Sequence, residues 1–303
     1  MVTKRLAFAI IILFGLFFTL MPETYGELFK SVPTTNVPET DNEIENPEPI
    51  DIIDEENIIT EEEEINENEE IEVQPVPVVD SRKKVFLTFD DGPTRLTPKV
   101  LDILREHDVK ATFFTLGIMM EKHPEILQNT YNEGHMVIPH SHTHNFAIYS
   151  TFDTFYEDFY MVESVYKNIL GFDAPPYFRF PGGSSNHSSF KYGGRQFMPL
   201  LTEDIKEKGY YYIDWNVSAG DTTPDYTNGA KMLDNIFKDV KKNDFAVILM
   251  HDLEKNTKLL EILPEVIERL KEQGYTFRTF RDITQDELDT MVKLRLANKP
   301  IVR

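Results

Sequence analysis

A chain of 303 residues with 41% hydrophobic side chains can bury a real core, in one large domain or two small ones. It has no cysteine, which excludes disulfides and thiolate metal sites, so any bound metal must rest on histidine and carboxylate. The formal net charge is −21, but residues 1–80 carry 20 acidic against 3 basic side chains, a net of −17, which leaves −4 for residues 81–303; neither part offers the basic stripe that a nucleic-acid partner requires.

Lys4 and Arg5 precede an uncharged run from Leu6 to Met21 that ends at Pro22. A basic start followed by an apolar run reads as a secretory signal or a membrane anchor, placed over residues 1–28. The run is slightly long for the first and slightly short for the second, and Thr24-Tyr25-Gly26 offers a loose cleavage site. A buried core helix is the alternative, and the lack of a polar face counts against it. Residues 31–80 hold 18 acids and no base, with proline scattered through them and Glu61 to Glu64 as a block. Self-repulsion and the absence of periodic apolar positions predict a disordered acidic linker over residues 29–80. Fully stretched it spans about 170 Å, enough to hold the remainder of the chain out from a membrane surface.

From Lys83 onward apolar runs alternate with amphipathic ones. Strands are predicted at Val85 to Phe89, Ala111 to Thr115, Met136 to Pro139, Tyr177 to Phe180, Tyr210 to Asn216, Phe245 to Met250 and Tyr275 to Phe280. Helix-like segments lie between most of them. Thr97-Pro98 reads as an N-cap and first-turn proline for a helix through Glu106, and Leu259 to Lys271 shows helical spacing with Gly274 beyond its end. Residues 187–199 read as an inserted loop. Thr284 and Glu287 form a capping-box pattern that starts a final charged helix and tail over residues 284–303. The alternation predicts an α/β domain over residues 81–283 with a parallel sheet, most economically closed into a barrel, with active residues at the carboxyl ends of the strands.

Polar clusters stand where that rule puts them. Thr88-Phe89-Asp90-Asp91-Gly92-Pro93 follows the first strand; His140-Ser141-His142-Thr143-His144, Arg179-Phe180-Pro181-Gly182-Gly183, Trp215-Asn216-Val217 leading to Asp221, and Leu249-Met250-His251-Asp252 each end a later apolar run. Any one alone is an ordinary turn; five in succession point to a site. His140 and His144, four apart, with Asp91 make a set of two imidazoles and one carboxylate that leaves open positions on a divalent ion, where a bound water loses its proton readily. His142, His135 and His187 read as non-ligands. If neighbouring side chains on an extended backbone point apart, Asp90 is free of the ion that Asp91 binds and can accept a proton. Arg179 is a partner to hold Asp90 ionised and aimed, although a surface arginine would fit the spacing nearly as well. His251 is the candidate general acid, and Asp221 a carboxylate able to keep it protonated.

These motifs, in this order, resemble those of the polysaccharide deacetylase family, the NodB-homology or carbohydrate esterase family 4 domain; Thr-Phe-Asp-Asp-Gly-Pro is the most specific of them. The resemblance runs from about Lys83 to Phe280 and covers none of the first 80 residues. It implies a distorted barrel of about seven parallel strands that removes N-acetyl groups from a glycan with one divalent ion, zinc first, with cobalt, nickel, iron or manganese as alternatives. Carried over by position, Asp90 resembles the catalytic base, Asp91, His140 and His144 the metal ligands, Arg179 the residue that orients the base, and His251 the catalytic acid. Gly182 stands where the family supplies a backbone amide to the oxyanion, often from a bulky aromatic residue, so the groove wall is expected to be more open here. Pro181, Trp215 and Leu249 are expected to line the substrate groove. Aligning the fourth motif puts Asp221 at the acid-orienting carboxylate and Thr222 where tryptophan is common; Asp214 competes with Asp221. The implied protein is a monomer at the outer face of the membrane or in the wall, anchored or secreted, acting on N-acetylglucosamine of peptidoglycan. Another acetylated glycan would suit the same residues. The intact acid, base and ligand residues count against a protein that only binds wall glycan.

Overall fold

The computed structural model describes residues 83–303; the expected signal or anchor and the acidic linker lie outside the described residues. Within them the chain runs β1 (Lys84–Asp90), α1 (Thr97–Glu106), β2 (Thr112–Leu116), α2 (Gly117–Lys122), α3 (Pro124–Asn132), β3 (Met136–Ser141), α4 (Phe152–Leu170) and β4 (Tyr177–Phe178). It continues through α5 (Phe197–Glu207), β5 (Tyr211–Tyr212), β6 (Val217–Ser218), α6 (Gly229–Val240), β7 (Phe245–His251), α7 (Thr257–Glu272), β8 (Thr276–Phe277) and α8 (Gln285–Lys293). Every ladder pairing is parallel.

The α/β alternation and parallel pairing match the expectation, but the hydrogen bonding does not form one closed ring among the described residues. The strands fall into a six-stranded sheet in the order β3-β2-β1-β7-β6, with β8 beside the start of β1, and a separate pair, β4-β5. The reason is visible in the predicted strand Tyr210 to Asn216, which is not a single strand. Tyr211 and Tyr212 pair with β4, whereas Val217 and Ser218 pair with β7, so one extended segment passes from the small sheet to the large one. Asn216 anchors the crossing: its Nδ2 donates to the Phe245 carbonyl at 2.8 Å and its Oδ1 accepts from the Val247 amide at 2.8 Å.

The side-chain period of two explains why the polar motifs share one side. On β1, Val85, Leu87 and Phe89 pack into a core formed with α1, α6 and α7, while Phe86 faces a second core with Phe114, Ile138, Val247 and Phe280. Continuing the Phe86 row gives Thr88 and then Asp90. The same step along β3 leads from Ile138 to His140, and along β7 from Val247 through Leu249 to His251. Each row is apolar at its base and ends in a titratable group at the carboxyl end of its strand. The strands are buried on both faces, as a parallel sheet covered by helices requires.

Two local expectations are corrected, and the C-terminal segment gains a packing role. The N-cap of α1 is Leu96, with no side-chain cap, because the Thr97 hydroxyl is bonded to Asp252 instead. The stretch read as an inserted loop, 187–199, contains a short 3-10 turn (Ser188–Lys191) and the first turn of α5; Ser189, Phe197 and Met198 are buried, because Phe197 and Met198 join an aromatic cluster with Tyr149, Phe155 and Phe180. After α8, whose capping box at Thr284 and Glu287 forms in both directions, the chain packs back on the domain: Leu296 and Ala297 enter the inner core and the Asn298 side chain accepts from the Tyr212 amide at 3.0 Å.

A candidate metal and acid–base centre

The site is built on the turn that leaves β1. Asp90 is the last residue of the strand and Asp91 has φ +74°, in the left-handed region that non-glycine residues rarely occupy. His144 has φ +58°. The separation of roles between the two carboxylates therefore does not come from strand alternation, since Asp91 is no longer extended. Its Oδ1 lies 3.6 Å from His140 Nε2 and 3.6 Å from His144 Nε2, and one ligand atom from each residue lies within 4.8 Å of the others.

Two observations show that these residues fit a divalent cation. Asp91 Oδ1 is buried without a hydrogen-bond partner, an expensive state for a carboxylate oxygen unless something positive meets it. His140 Nδ1 sits 2.6 Å from the Arg179 carbonyl, so that nitrogen donates and the Nε2 lone pair faces Asp91 and His144. Burial pushes the His140 imidazole down to about 3, which Asp91 only partly offsets; it is neutral, as a ligand must be.

The loop carrying these histidines is held by a residue that sequence reading missed. Asp158 on α4 accepts from Ser141 Oγ at 2.5 Å, from the amides of His142 and Thr143 at 2.8 and 3.0 Å, and from Thr143 Oγ1 at 2.9 Å. Nothing in the amphipathic pattern of α4 marks it. His142 stands outside the cluster, its Nδ1 against Gly117, where an added Cβ would lie 2.1 Å away. His135 is buried elsewhere, with Nδ1 accepting from the Ala111 amide at 3.1 Å, and His187 lies by Phe190.

Arg179 joins the two sheets. It is fully buried; its guanidinium donates to Asp90 Oδ1 at 2.7 Å, to Thr88 Oγ1 at 2.9 Å and to the Ile213 carbonyl at 3.1 Å, and its Cζ lies 4.0 Å from the Phe114 ring centroid. Burial nevertheless raises the Asp90 carboxyl above its ordinary value, the Arg179 charge opposing it. Asp90 Oδ2 is 3.9 Å from His140 Nε2, so the carboxyl borders the cation site without belonging to the cluster.

His251 is the register partner of Asp90 across β1 and β7. Its Nδ1 lies 2.9 Å from Asp221 Oδ1, and Asp221 Oδ2 accepts from the His251 amide at 2.7 Å. Burial acts to lower the imidazole, but the Asp221 bond and charge, with Asp90 and Asp91 beyond, carry it up to about 9. Asn256 donates to Asp221 Oδ2 at 3.3 Å. Asp214 is engaged elsewhere: its carboxylate accepts from the Ser184 amide and hydroxyl at 2.9 and 2.5 Å and pairs with Lys299 at 2.8 Å. Of the two competing carboxylates, only Asp221 touches His251.

Next to His251, Asp252 is fully buried against the turn after Asp91: an added Cβ on Gly92 would meet its Oδ2 at 2.4 Å. Its carbonyl accepts from Thr94 Oγ1 at 2.5 Å and its carboxyl from the Thr97 hydroxyl, and burial pushes that carboxyl up to about 7. Asp252 closes the motif Leu249-Met250-His251-Asp252, and its position in the sequence carries no sign of this packing. Among the expected groove residues, Pro181 is buried with its carbonyl accepting from Tyr149 at 2.9 Å, Gly182 is exposed with φ +74°, and Trp215 is half-buried. Leu249 is 6% exposed, two positions before His251 on the same face. Gly183 has to be glycine: φ is +77° and an added Cβ would lie 2.9 Å from the Trp215 ring.

The chain is similar to known proteins in sequence and in fold. A family model described as polysaccharide deacetylase matches residues 78–196. A peptidoglycan-N-acetylglucosamine deacetylase of Bacillus cereus is 32% identical over 66% of this chain and 70% of its own length. A peptidoglycan-N-acetylmuramic acid deacetylase of Bacillus subtilis, PdaA, is 31% identical over 66% of this chain and 71% of its own. Among solved structures, the catalytic domain of a peptidoglycan N-acetylglucosamine deacetylase from Eubacterium rectale superposes with a TM-score of 0.61 at 33% identity, covering 67% of this chain and 89% of that one.

Proposed function

Because the chain belongs to the polysaccharide deacetylase family, we propose that it hydrolyses N-acetyl groups of an extracellular glycan, N-acetylglucosamine of peptidoglycan first. The observation that carries this reading is the pairing of Asp90 with His251 across β1 and β7 beside the cluster Asp91, His140 and His144. Those three residues would hold a divalent ion, zinc first, which when bound would supply Lewis-acid polarisation of the acetamide carbonyl and a more acidic water.

The chain's own groups do the rest. Asp90, aimed by Arg179, accepts the proton of the attacking water, and its raised affinity for a proton suits that task. The Gly182 amide steadies the developing oxyanion. His251, held protonated by Asp221 at neutral pH, donates to the departing amine. The residues named read the acetyl group and leave the rest of the polymer to the groove walls. Relatives named for N-acetylglucosamine and for N-acetylmuramic acid are almost equally similar to this chain. Residues 1–28 would hold the protein at the outer face of the membrane or direct its export, with residues 29–80 as a tether into the wall.

The test is incubation of the purified protein with N-acetylated wall, chitooligosaccharides and acetyl xylan, with acetate measured and products identified by mass. Acetate is expected from wall glycan, lost with a chelator and restored by zinc. Release of peptides without acetate, or acetate release indifferent to chelator, overturns the reading.

A further inference from the structure

The chain is acidic, yet residues 174–202 and residues 290–303 hold no Asp or Glu. The fold brings them together. Arg303 donates to the Asn186 carbonyl at 2.9 Å, and the guanidinium carbons of Arg195 and Arg303 lie 5.3 and 5.0 Å from the centroid of the Phe190 ring, with the His187 ring at 4.9 Å. Lys191 lies 5.6 Å from the Tyr192 ring. Lys191, Tyr192 and Arg195 are exposed. Among the described residues, none of Lys191, Arg195 and Arg303 forms an ion pair with a carboxylate, whereas Lys299 nearby is taken up by Asp214. An aromatic ring in contact with two guanidinium groups holds them in place at small entropic cost, and guanidinium is the side chain best matched to a carboxylate.

This cluster adjoins the catalytic groove. A Cβ on Gly182 would lie 3.3 Å from Asn186 Cβ and 3.1 Å from the Phe146 ring, which itself lies 5.6 Å from the His144 ring, between centroids. The residue whose carbonyl receives Arg303 therefore packs on the glycine that borders the reacting carbonyl. Resting on the function proposed above, we propose that Lys191, Arg195 and Arg303, arranged about Phe190, form an anion subsite beside the groove that takes the carboxylates of a peptide-substituted wall glycan. Neutral chitooligosaccharides have nothing to offer it. The subsite thus selects peptidoglycan strands by their charge while the catalytic residues select the acetyl group.

The experiment uses the full chain and its Arg195→Ala, Arg303→Ala and doubly substituted variants, with kcat and KM measured on soluble stem-bearing peptidoglycan strands and on a neutral chitooligosaccharide. The ratio of kcat/KM between charged and neutral substrate should fall about tenfold in the double variant, chiefly through KM, and added salt should reproduce the fall in the unsubstituted protein. An unchanged ratio overturns the proposal. So does a gain on both substrates, which would mean that the patch hinders entry to the groove and selects no charge. Sedimentation with insoluble wall before and after amidase removal of the stems reads the subsite without turnover. The unsubstituted protein should bind stripped wall less, and the double variant should bind both alike. That binding pattern without acetate release would defeat the catalytic reading and leave the subsite standing.

Discussion

Asp90 and His251 are register partners on adjacent strands, each bonded to an opposite charge, but burial and pairing divide differently at the two. At Asp90 burial favours the neutral acid and outweighs Arg179, so the carboxyl is raised. At His251 burial favours the neutral ring and is outweighed by Asp221, so the imidazole is raised to about 9. Both shifts go the same way for opposite reasons. A paired buried charge is not simply stabilised: the Asp221 bond and charge, joined by the charges of Asp90 and Asp91, prevail over burial at His251, where Arg179 does not at Asp90.

The sharpest way to break the comparison is to remove one member. Asp90→Asn should lower kcat about 10³-fold, the scale of a lost general base, while elemental analysis finds metal content intact; His144→Ala should lower both. Retained activity in the first, or retained metal in the second, would end the assignment of separate roles. A smaller effect is expected from Asp221→Asn. His251 would then meet burial with a weaker partner, and its proton would be lost at lower pH, so the alkaline limb of the rate profile should move down from about 9 toward 6.5.

The same change alters stability. With its pKa raised from 6.5 to about 9 in the folded state, His251 adds stability that is full below pH 6.5 and disappears as pH rises through 9. The unfolding free energy of the unsubstituted protein, measured by denaturant titration, should decline across that window by up to about 3 kcal/mol, and that of Asp221→Asn should not. The smallest effect belongs to Asp214→Asn, which loses the Lys299 pair and weakens the Ser184 contacts. A stability loss of about 1 kcal/mol with an unmoved rate profile is expected; a shifted alkaline limb would return Asp214 to contention.

Much of this was legible before folding. The runs at β1 and β7 are apolar because both faces are covered, and a polar residue at the end of such a run stands out against it. That is why Asp90, Asp91 and His251 could be found without a structure. The four-residue spacing of His140 and His144 and the Thr284 to Glu287 capping box are local patterns and were read for the same reason. The second half of the domain was harder. β4, β5 and β6 are two residues long each, too short for a period of two to show, and the crossing at Asn216 follows from hydrogen bonds to Phe245 and Val247 some thirty positions away.

What the amino-acid order determined by itself is the long buried strands β1, β2, β3 and β7, their alternation with helices and the identity of the chemical groups at the strand ends, because these rest on short-range periodicity and residue type. Tertiary structure alone decided how those groups are placed against one another. The left-handed turns at Asp91 and His144, the grip of Asp158 on the histidine loop, the choice of Asp221 over Asp214 and the burial of Arg179 between two sheets all depend on contacts between segments distant in the chain. Distances and desolvation across such contacts set proton affinities, and no spacing along the sequence contains them.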